Sequence, residues 1–256
     1  MNSKNVEITV AGRKKLSPGS WCQSGNPVNA EIIARAGFEW IALDCEHGEA
    51  ECGDIADFCR ALKPFGCTPY VRVKANDTLE IRRALDLGAE GVIVPLVNNA
   101  QDAGRAVRAA HYPPAGIRGF AFHRGNGWGV DFDAYLERSR HEIKVIVMVE
   151  SKEAVENIDA ILGVDGVDGA FIGPYDMSGS YGIPGRTDAP VIREACLKVA
   201  RACRKARKLA GQHIVLPTDE NIAFAVGQGF SFLALGMNTV FLGQGAARAM
   251  EMSKCR

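Results

Sequence analysis

The sequence predicts a (β/α)8 barrel, and three observations carry that prediction. The chain has 256 residues, a routine length for an α/β barrel formed by one domain of about 250 residues. Runs rich in Val, Ile, Leu and Ala alternate with longer stretches of helical period, and eight such pairs can be traced. The strand runs are strongly apolar, as in a parallel sheet covered by helices. Eight units favour closure over an open, doubly wound sheet.

In order, the strands are read at GSWCQ (19–23), WIALD (40–44), PYVRV (69–73), GVIVPLV (91–97), KVIVMVE (144–150), GAFIG (169–173), HIVLP (213–217) and FLALG (232–236). The helices that follow begin near Pro27, Glu51, Asp77, Asn99, Ser151, Ala189, Asp219 and Asn238, many with a capping residue or Pro at the start. In NDTLEIRRALDLG, Asp77 or Thr78 can cap the helix, Leu79, Ile81 and Leu85 supply apolar faces, and Gly88 ends it.

No shift in composition and no Ser- or Pro-rich linker marks a second domain, so one barrel is expected over 1–256, with a lead-in at 1–18 and a C-terminal helix at 238–256. The longest irregular stretch, YPPAGIRGFAFHRGNGWGVD (112–131), is dense in Gly and aromatic residues. Loops of that length in compact domains are usually functional, which makes it part of the site or of a subunit contact, with a surface insertion as the alternative.

Thirty Lys and Arg balance thirty Asp and Glu. This excludes the basic surplus that nucleic-acid binding requires and leaves none for an anionic membrane. No stretch approaches the roughly 18 apolar residues of a membrane span, and the N-terminus lacks the apolar core of a signal peptide. A cytoplasmic protein is expected. Eight cysteines occur without a C-x-x-C pair, and Cys52/Cys59 and Cys196/Cys203 are spaced by seven, which reads as reduced thiols on buried helix stripes.

Active sites of such barrels lie at the C-terminal ends of the strands. The second strand ends in Asp44, Glu46 and His47, the third carries Arg72 and Lys74, the fifth ends in Glu150, and the sixth runs into Gly173, Pro174, Tyr175 and Asp176. Glu150 and Asp176, on neighbouring strands, suit a hard divalent cation, Mg2+, Mn2+ or Co2+, with positions left for water and substrate. Their competing use is to cap the SKEAVENI helix and a turn. Arg72 suits a substrate carboxylate or a developing enolate oxygen, or a salt bridge to Asp44 or Glu46. His47 suits proton transfer near neutral pH, oriented by a neighbouring carboxylate. Lys74 is the one strand-end candidate for a Schiff base.

These residues resemble the HpcH/HpaI family of class II, metal-dependent pyruvate aldolases. The resemblance runs from about Gly19 to Gly243 and rests on WIALDCEHGEA, VRV, LDLGAEGVIVPLV, YPPAGIRG, VES and GVDGAFIGPYDMSGSYG. It implies Glu150 and Asp176 as metal ligands, His47 as proton acceptor, Arg72 as transition-state stabiliser, and Asp86 as the aspartate that sharpens the histidine across a subunit interface. It further implies that Gly173, Pro174, Tyr175 and Asp176 hold the oxo acid, that Asp44 and Glu46 support the site, and that the chain forms a homo-oligomer, a hexamer built as a trimer of dimers. The implied reaction is cleavage of a 4-hydroxy-2-oxo acid to pyruvate and an aldehyde through a metal-stabilised enolate.

The chain departs from the family pattern at Met148, where many members have Gln, at Asn238 in ALGMN, and in the loop RGFAFHRGNGWG. Arg118, His123, Arg124 and Trp128 of that loop could read an acidic or polyhydroxylated tail, or be salt-bridged at an interface. The alternatives are another metal-enolate reaction on the same platform (oxaloacetate decarboxylation, enolate addition to an unusual acceptor, CoA-ester cleavage) and a non-catalytic metabolite-binding barrel.

Overall fold

The structure, a computed structural model, describes residues 16–254, so most of the lead-in at 1–18 lies outside the described residues. The chain runs β1 (Ser17–Cys22), α1 (Pro27–Arg35), β2 (Trp40–Asp44), α2 (Cys52–Leu62), β3 (Thr68–Arg72), α3 (Thr78–Asp86), β4 (Gly91–Val94) and α4 (Ala100–Ala110). It continues with α5 (Phe132–Glu142), β5 (Lys144–Val149), α6 (Lys152–Glu156), α7 (Ile158–Leu162), β6 (Gly169–Ile172), α8 (Pro174–Ser180) and α9 (Pro190–Ala206). The last elements are β7 (Leu209–Ile214), α10 (Asp219–Gln228), β8 (Phe232–Met237) and α11 (Asn238–Lys254). The eight strands form one closed parallel barrel in sequence order, β8 returning to β1, which is the predicted (β/α)8 fold.

Local chemistry starts the helices where the sequence places them. Asn26, Asp77, Asn99 and Ser151 each accept a backbone N–H of the first turn, and Glu51 and Asp54 form a reciprocal capping box. Gly88 follows the last turn of α3 at φ +112°, a conformation glycine adopts without penalty. Several details differ from the sequence reading: β4, read to 97, ends at Val94, and Pro174–Ser180 forms a short helix directly after β6. β7 starts four residues earlier than HIVLP, the helix after Ser151 is broken at Asn157, and Phe132–Glu142 forms a helix of its own.

Two apolar layers result. The strands' outer faces and the helices share one cluster, and the barrel interior holds another built on Trp21, Trp40, Tyr70, Phe171 and Phe232. Trp40 and Phe232 stack with centroids 3.9 Å apart, and Tyr70 meets Phe232 edge-on at 5.4 Å. These rings fill the interior because Gly19 and Gly91 face them, and a Cβ at either position would enter the ring of Trp40 or Tyr70. Gly19→Val is therefore expected to overpack the interior by about 1–3 kcal/mol. At roughly 2–4 °C per kcal/mol for a chain of this size, thermal melting should register a loss of several degrees, and an unchanged melt would refute this packing.

The period of two along each strand carries the interior face up to the mouth. Trp40 and Ala42 lead to Asp44, Tyr70 leads to Arg72, and Ile146 and Met148 lead to Glu150. The β2–β3 register then sets Asp44 directly beside Arg72. The seven described cysteines are free, and all but Cys52 are buried. No described helix is long and apolar enough to cross a membrane.

Candidate active site

The mouth is organised around Arg72. Its Nε and Nη2 donate to the two carboxylate oxygens of Asp44 at 2.8 and 2.6 Å, and Nη1 lies 3.1 Å from Glu46 Oε2. Asp44 is 1% exposed and also accepts the backbone N–H groups of Glu46 and His47 at 3.1 and 3.2 Å. Burial alone would raise the Asp44 carboxyl, but the hydrogen bonds and charge of Arg72 and the two N–H groups overcome it and hold it below the usual range. Both salt bridges considered for Arg72 are thus made. The guanidinium remains at the cleft, 4.9 Å from the centre of the Trp21 ring and 3.9 Å from Met148 Sδ.

Glu150 follows the last residue of β5 and is 6% exposed. It does not cap the next helix, because Ser151 does so through Ala154 N–H. Its Oε1 instead accepts the N–H of Leu96 at 2.7 Å. Leu96 holds a left-handed backbone at φ 55° just past β4, an uncommon conformation for a non-glycine residue. Burial raises the Glu150 carboxyl, and the nearby charges of Glu46 and Asp176 raise it further. Asp176 lies in the first turn of α8, after Gly173 and Pro174, and no side-chain cap bond is formed at that helix start.

Gly173 faces Glu150 closely: an added Cβ would lie 3.0 Å from Glu150 Cβ and 3.1 Å from its Oε2. Together with Trp21, Asp44, Arg72 and Met148, the segment Gly173–Asp176 lines a cleft of about 870 Å3, within the size range of small-molecule sites. Tyr175 is 68% exposed beside it. His47 stands just beyond the end of β2 with its side chain 60% exposed and Nε2 3.9 Å from Glu46 Oε2. Lys74 pairs with Glu51 at 2.9 Å. Cys45, inside the D-C-E-H segment, is buried, and burial pushes its thiol up to about 12, which leaves it inert.

Asp86 is not brought to His47 within the chain. Its Oδ1 accepts Arg118 Nη2 at 2.7 Å and lies 3.4 Å from His123 Nε2. Arg118 is fully buried, with Tyr112 and Tyr135 against its guanidinium. The stretch 112–131 connects α4 to α5 and so leads back to the start of β5. Arg124 and Gly125 accordingly sit with Pro69, Glu90 and Ile143 around the N-terminal ends of β3, β4 and β5, away from this chain's own mouth. Phe120, Phe122, Trp128 and Val130 of this stretch are 55–89% exposed.

Two participants at the barrel mouth escape the sequence reading. The Leu96 N–H is a backbone group and leaves no mark in residue type. His213 lines the cleft on β7, where the strand boundary read at HIVLP treats it as a first residue and not as one near the mouth. Asn238 begins α11, and its side chain accepts Gln23 N–H at 2.9 Å and donates to Ser24 at 2.9 Å, joining β8 to the β1 loop.

Among the described residues, no three His, Cys, Asp or Glu side chains converge as a closed metal cage. Glu150 and Asp176 offer oxygen donors only, and among the described residues no cationic side chain forms an ion pair with the buried Glu150 carboxylate. Two carboxylates with the remaining positions open suit a hard divalent cation that keeps water and binds substrate.

Comparison with known proteins identifies the family. The family model described as HpcH/HpaI aldolase/citrate lyase matches residues 18–243. A protein of Klebsiella pneumoniae named 4-hydroxy-2-oxo-heptane-1,7-dioate aldolase is 36% identical over 249 residues, covering 96% of this chain and 92% of its own. A Salmonella arizonae protein of the same name is 37% identical with the same coverage. The crystal structure of an HpcH/HpaI aldolase/citrate lyase family protein from Burkholderia cenocepacia superposes with a TM-score of 0.89 at 29% identity, covering 94% of this chain and 95% of that one. On the extent of the family match and the identity to these relatives, the chain belongs to the HpcH/HpaI aldolase/citrate lyase family.

Proposed function

We infer that the protein is a class II aldolase that cleaves a 4-hydroxy-2-oxo acid to pyruvate and an aldehyde with the help of a divalent cation. The observation that carries this reading is the pairing, at one barrel mouth, of an oxygen-only acidic pair with a fixed guanidinium. Glu150 and Asp176 would hold the cation, Mg2+, Mn2+ or Co2+ by the hardness of the donors. When bound, such a cation polarises the oxo acid's carboxylate and keto oxygens and offsets the negative charge left by C3–C4 cleavage.

The remaining work falls to the chain's own groups. His47, exposed at the mouth and adjacent to Glu46, takes the proton of the C4 hydroxyl. The C3–C4 bonding pair then passes to the pyruvate half, the aldehyde leaves, and return of the proton from His47 to C3 completes pyruvate. Arg72 is locked by Asp44 through Nε and Nη2, so its positive charge is in place before the enolate oxygen develops and needs no reorganisation. The backbone of Gly173–Tyr175 holds the oxo acid's carboxylate at the start of α8, and Met148 supplies an apolar wall beside it.

Asp86, paired with Arg118 on the outer side of the barrel, would serve His47 of a neighbouring subunit. The exposed aromatic residues of 112–131 and the exposed Leu242, Met250 and Met252 of α11 support a homo-oligomer, with a hexamer built as a trimer of dimers as the assembly.

The reading is tested by coupling pyruvate formation to its reduction across a panel of 4-hydroxy-2-oxo acids, with chelator and with metal added back. Metal-dependent pyruvate release is expected, and its absence for every member of the panel would overturn the reading. Gly173→Ala should press on Glu150 and lower Mn2+ affinity about tenfold, the lower end for disturbing a group that supports a metal ligand. Titration calorimetry checks this, and an unchanged affinity would show that Glu150 is not held against Gly173 as described.

A further inference from the structure

β7 ends at Ile214, which puts His213 one residue from the C-terminal end of the strand. Two residues earlier, a Cβ at Gly211 would meet the ring of Phe171, inside the barrel, so the period of two turns His213 onto the same inner face. There its ring centre lies 6.1 Å from that of Trp21, the ring on which Arg72 rests. His213 therefore lines the same cleft as Arg72, Met148 and Asp176.

The hydrogen bonding of the ring defines what it can do. A carbonyl oxygen only accepts, so the Nε2 atom 3.1 Å from Gly236 O carries the proton, and Nδ1 is left as an acceptor. Burial pushes the imidazole down to about 4, so the ring is neutral at physiological pH and a poor base for an alcohol proton. Farther along the cleft stand Thr187, Asp188, Thr218, Glu220 and Asn221, all able to accept hydrogen bonds, with Arg193 as the cation among them.

We propose that His213 is a specificity-determining residue whose Nδ1 accepts a hydrogen bond from a hydroxyl group on the aldehyde half of the substrate, so that uncharged, hydroxylated aldehydes are preferred over carboxylate-bearing ones. The proposal deepens the aldolase reading and rests on it. A hydroxyl can donate to Nδ1 and to the acceptors beyond it. The carboxylate of the semialdehyde that a heptane-1,7-dioate would release has no proton to donate to Nδ1, and it meets two like charges, Asp188 and Glu220, against the single cation Arg193 in that part of the cleft.

The test compares kcat/KM for addition of pyruvate to glycolaldehyde, acetaldehyde and succinate semialdehyde, with Mn2+ present, in wild type, His213→Leu and His213→Gln. Wild type is expected to favour glycolaldehyde over succinate semialdehyde. His213→Leu should lower the glycolaldehyde-to-acetaldehyde ratio about five- to tenfold, the size of one lost hydrogen bond, and His213→Gln should restore most of it by offering an amide oxygen. Intrinsic differences between the aldehydes cancel in this comparison of variants.

A ratio unchanged in His213→Leu overturns the proposal, as does a wild-type preference for succinate semialdehyde; that preference also decides the matter should the leucine variant not fold. Exchange of the pyruvate methyl protons with D2O, followed by NMR on wild type, needs no aldehyde and separates the two levels of the argument. Exchange without hydroxyl selectivity overturns the role of His213 alone. Absence of both exchange and addition removes the aldolase reading and this proposal with it.

Discussion

Glu150→Gln is expected to abolish metal-dependent pyruvate release without weakening the fold. The two side chains have the same shape, and the Gln oxygen can still accept the Leu96 N–H that Glu150 Oε1 accepts at 2.7 Å. What disappears is a negative charge whose placement is unfavourable without a cation. Burial and the neighbouring charges of Glu46 and Asp176 raise the Glu150 carboxyl above its usual range. A carboxyl raised in the folded state contributes its full stability in acid, below its unfolded value, and that contribution is lost as pH rises through the folded value. At neutral pH the neutral amide should therefore melt at the same temperature as metal-free wild type or higher. Thermal melts and Mn2+ titration check the two halves separately. A variant that melts lower and still binds Mn2+ would make Glu150 a structural residue.

Arg72→Lys is expected to reduce kcat about a hundredfold, the lower end of the effect of removing one preorganised donor from a developing oxyanion. Lysine keeps the charge but not the planar fork. It cannot bridge both oxygens of Asp44 while pointing a further donor toward Glu46, as Arg72 does. Asp44, 1% exposed, would lose part of its pairing, and because breaking a buried ion pair costs about 3–5 kcal/mol when one partner is removed outright, a fall in melting temperature should accompany the kinetic loss. Steady-state kinetics at saturating metal checks this. Retention of wild-type kcat in a folded Arg72→Lys would assign the guanidinium a structural role only.

Much of this is legible in the sequence because strand periodicity and mouth chemistry are the same pattern. Trp40, Ala42 and Asp44 are one inward row, and an apolar row that ends in an acid is visible without coordinates. Glu150 follows from the same logic on β5, whereas Asp176 is legible only from the segment that follows β6 and lies in the first turn of α8. The errors have local causes. In LAGQHI, Gly and Gln weaken the strand signal, whereas VLP just beyond it is apolar yet belongs to the loop, with Val215 and Leu216 38% and 56% exposed. That displaced boundary hides the position of His213. α5 carries a weak apolar stripe, with Ser139 its one buried residue, so FDAYLERSRHE gives little periodicity to read. The Leu96 N–H and the Gly236 carbonyl act through backbone atoms, and residue identity says nothing about where those point. Asp86 shows a further limit, because its place in LDLG says nothing of the Arg118 and His123 it meets from the 112–131 stretch.

Glu150 and Asp176 are proposed to hold the cation on which cleavage depends. The most direct measurement is to strip the protein of metal, titrate Mn2+ back, and record bound ion per chain and pyruvate formation from 4-hydroxy-2-oxo-heptane-1,7-dioate, or the best-cleaved panel member, on the same samples. Activity is expected to rise in proportion to occupancy, to saturate at one ion per chain, and to vanish with binding in Glu150→Gln. Full cleavage by metal-free protein, or an ion that binds stoichiometrically in Glu150→Gln and restores its activity, would contradict that assignment.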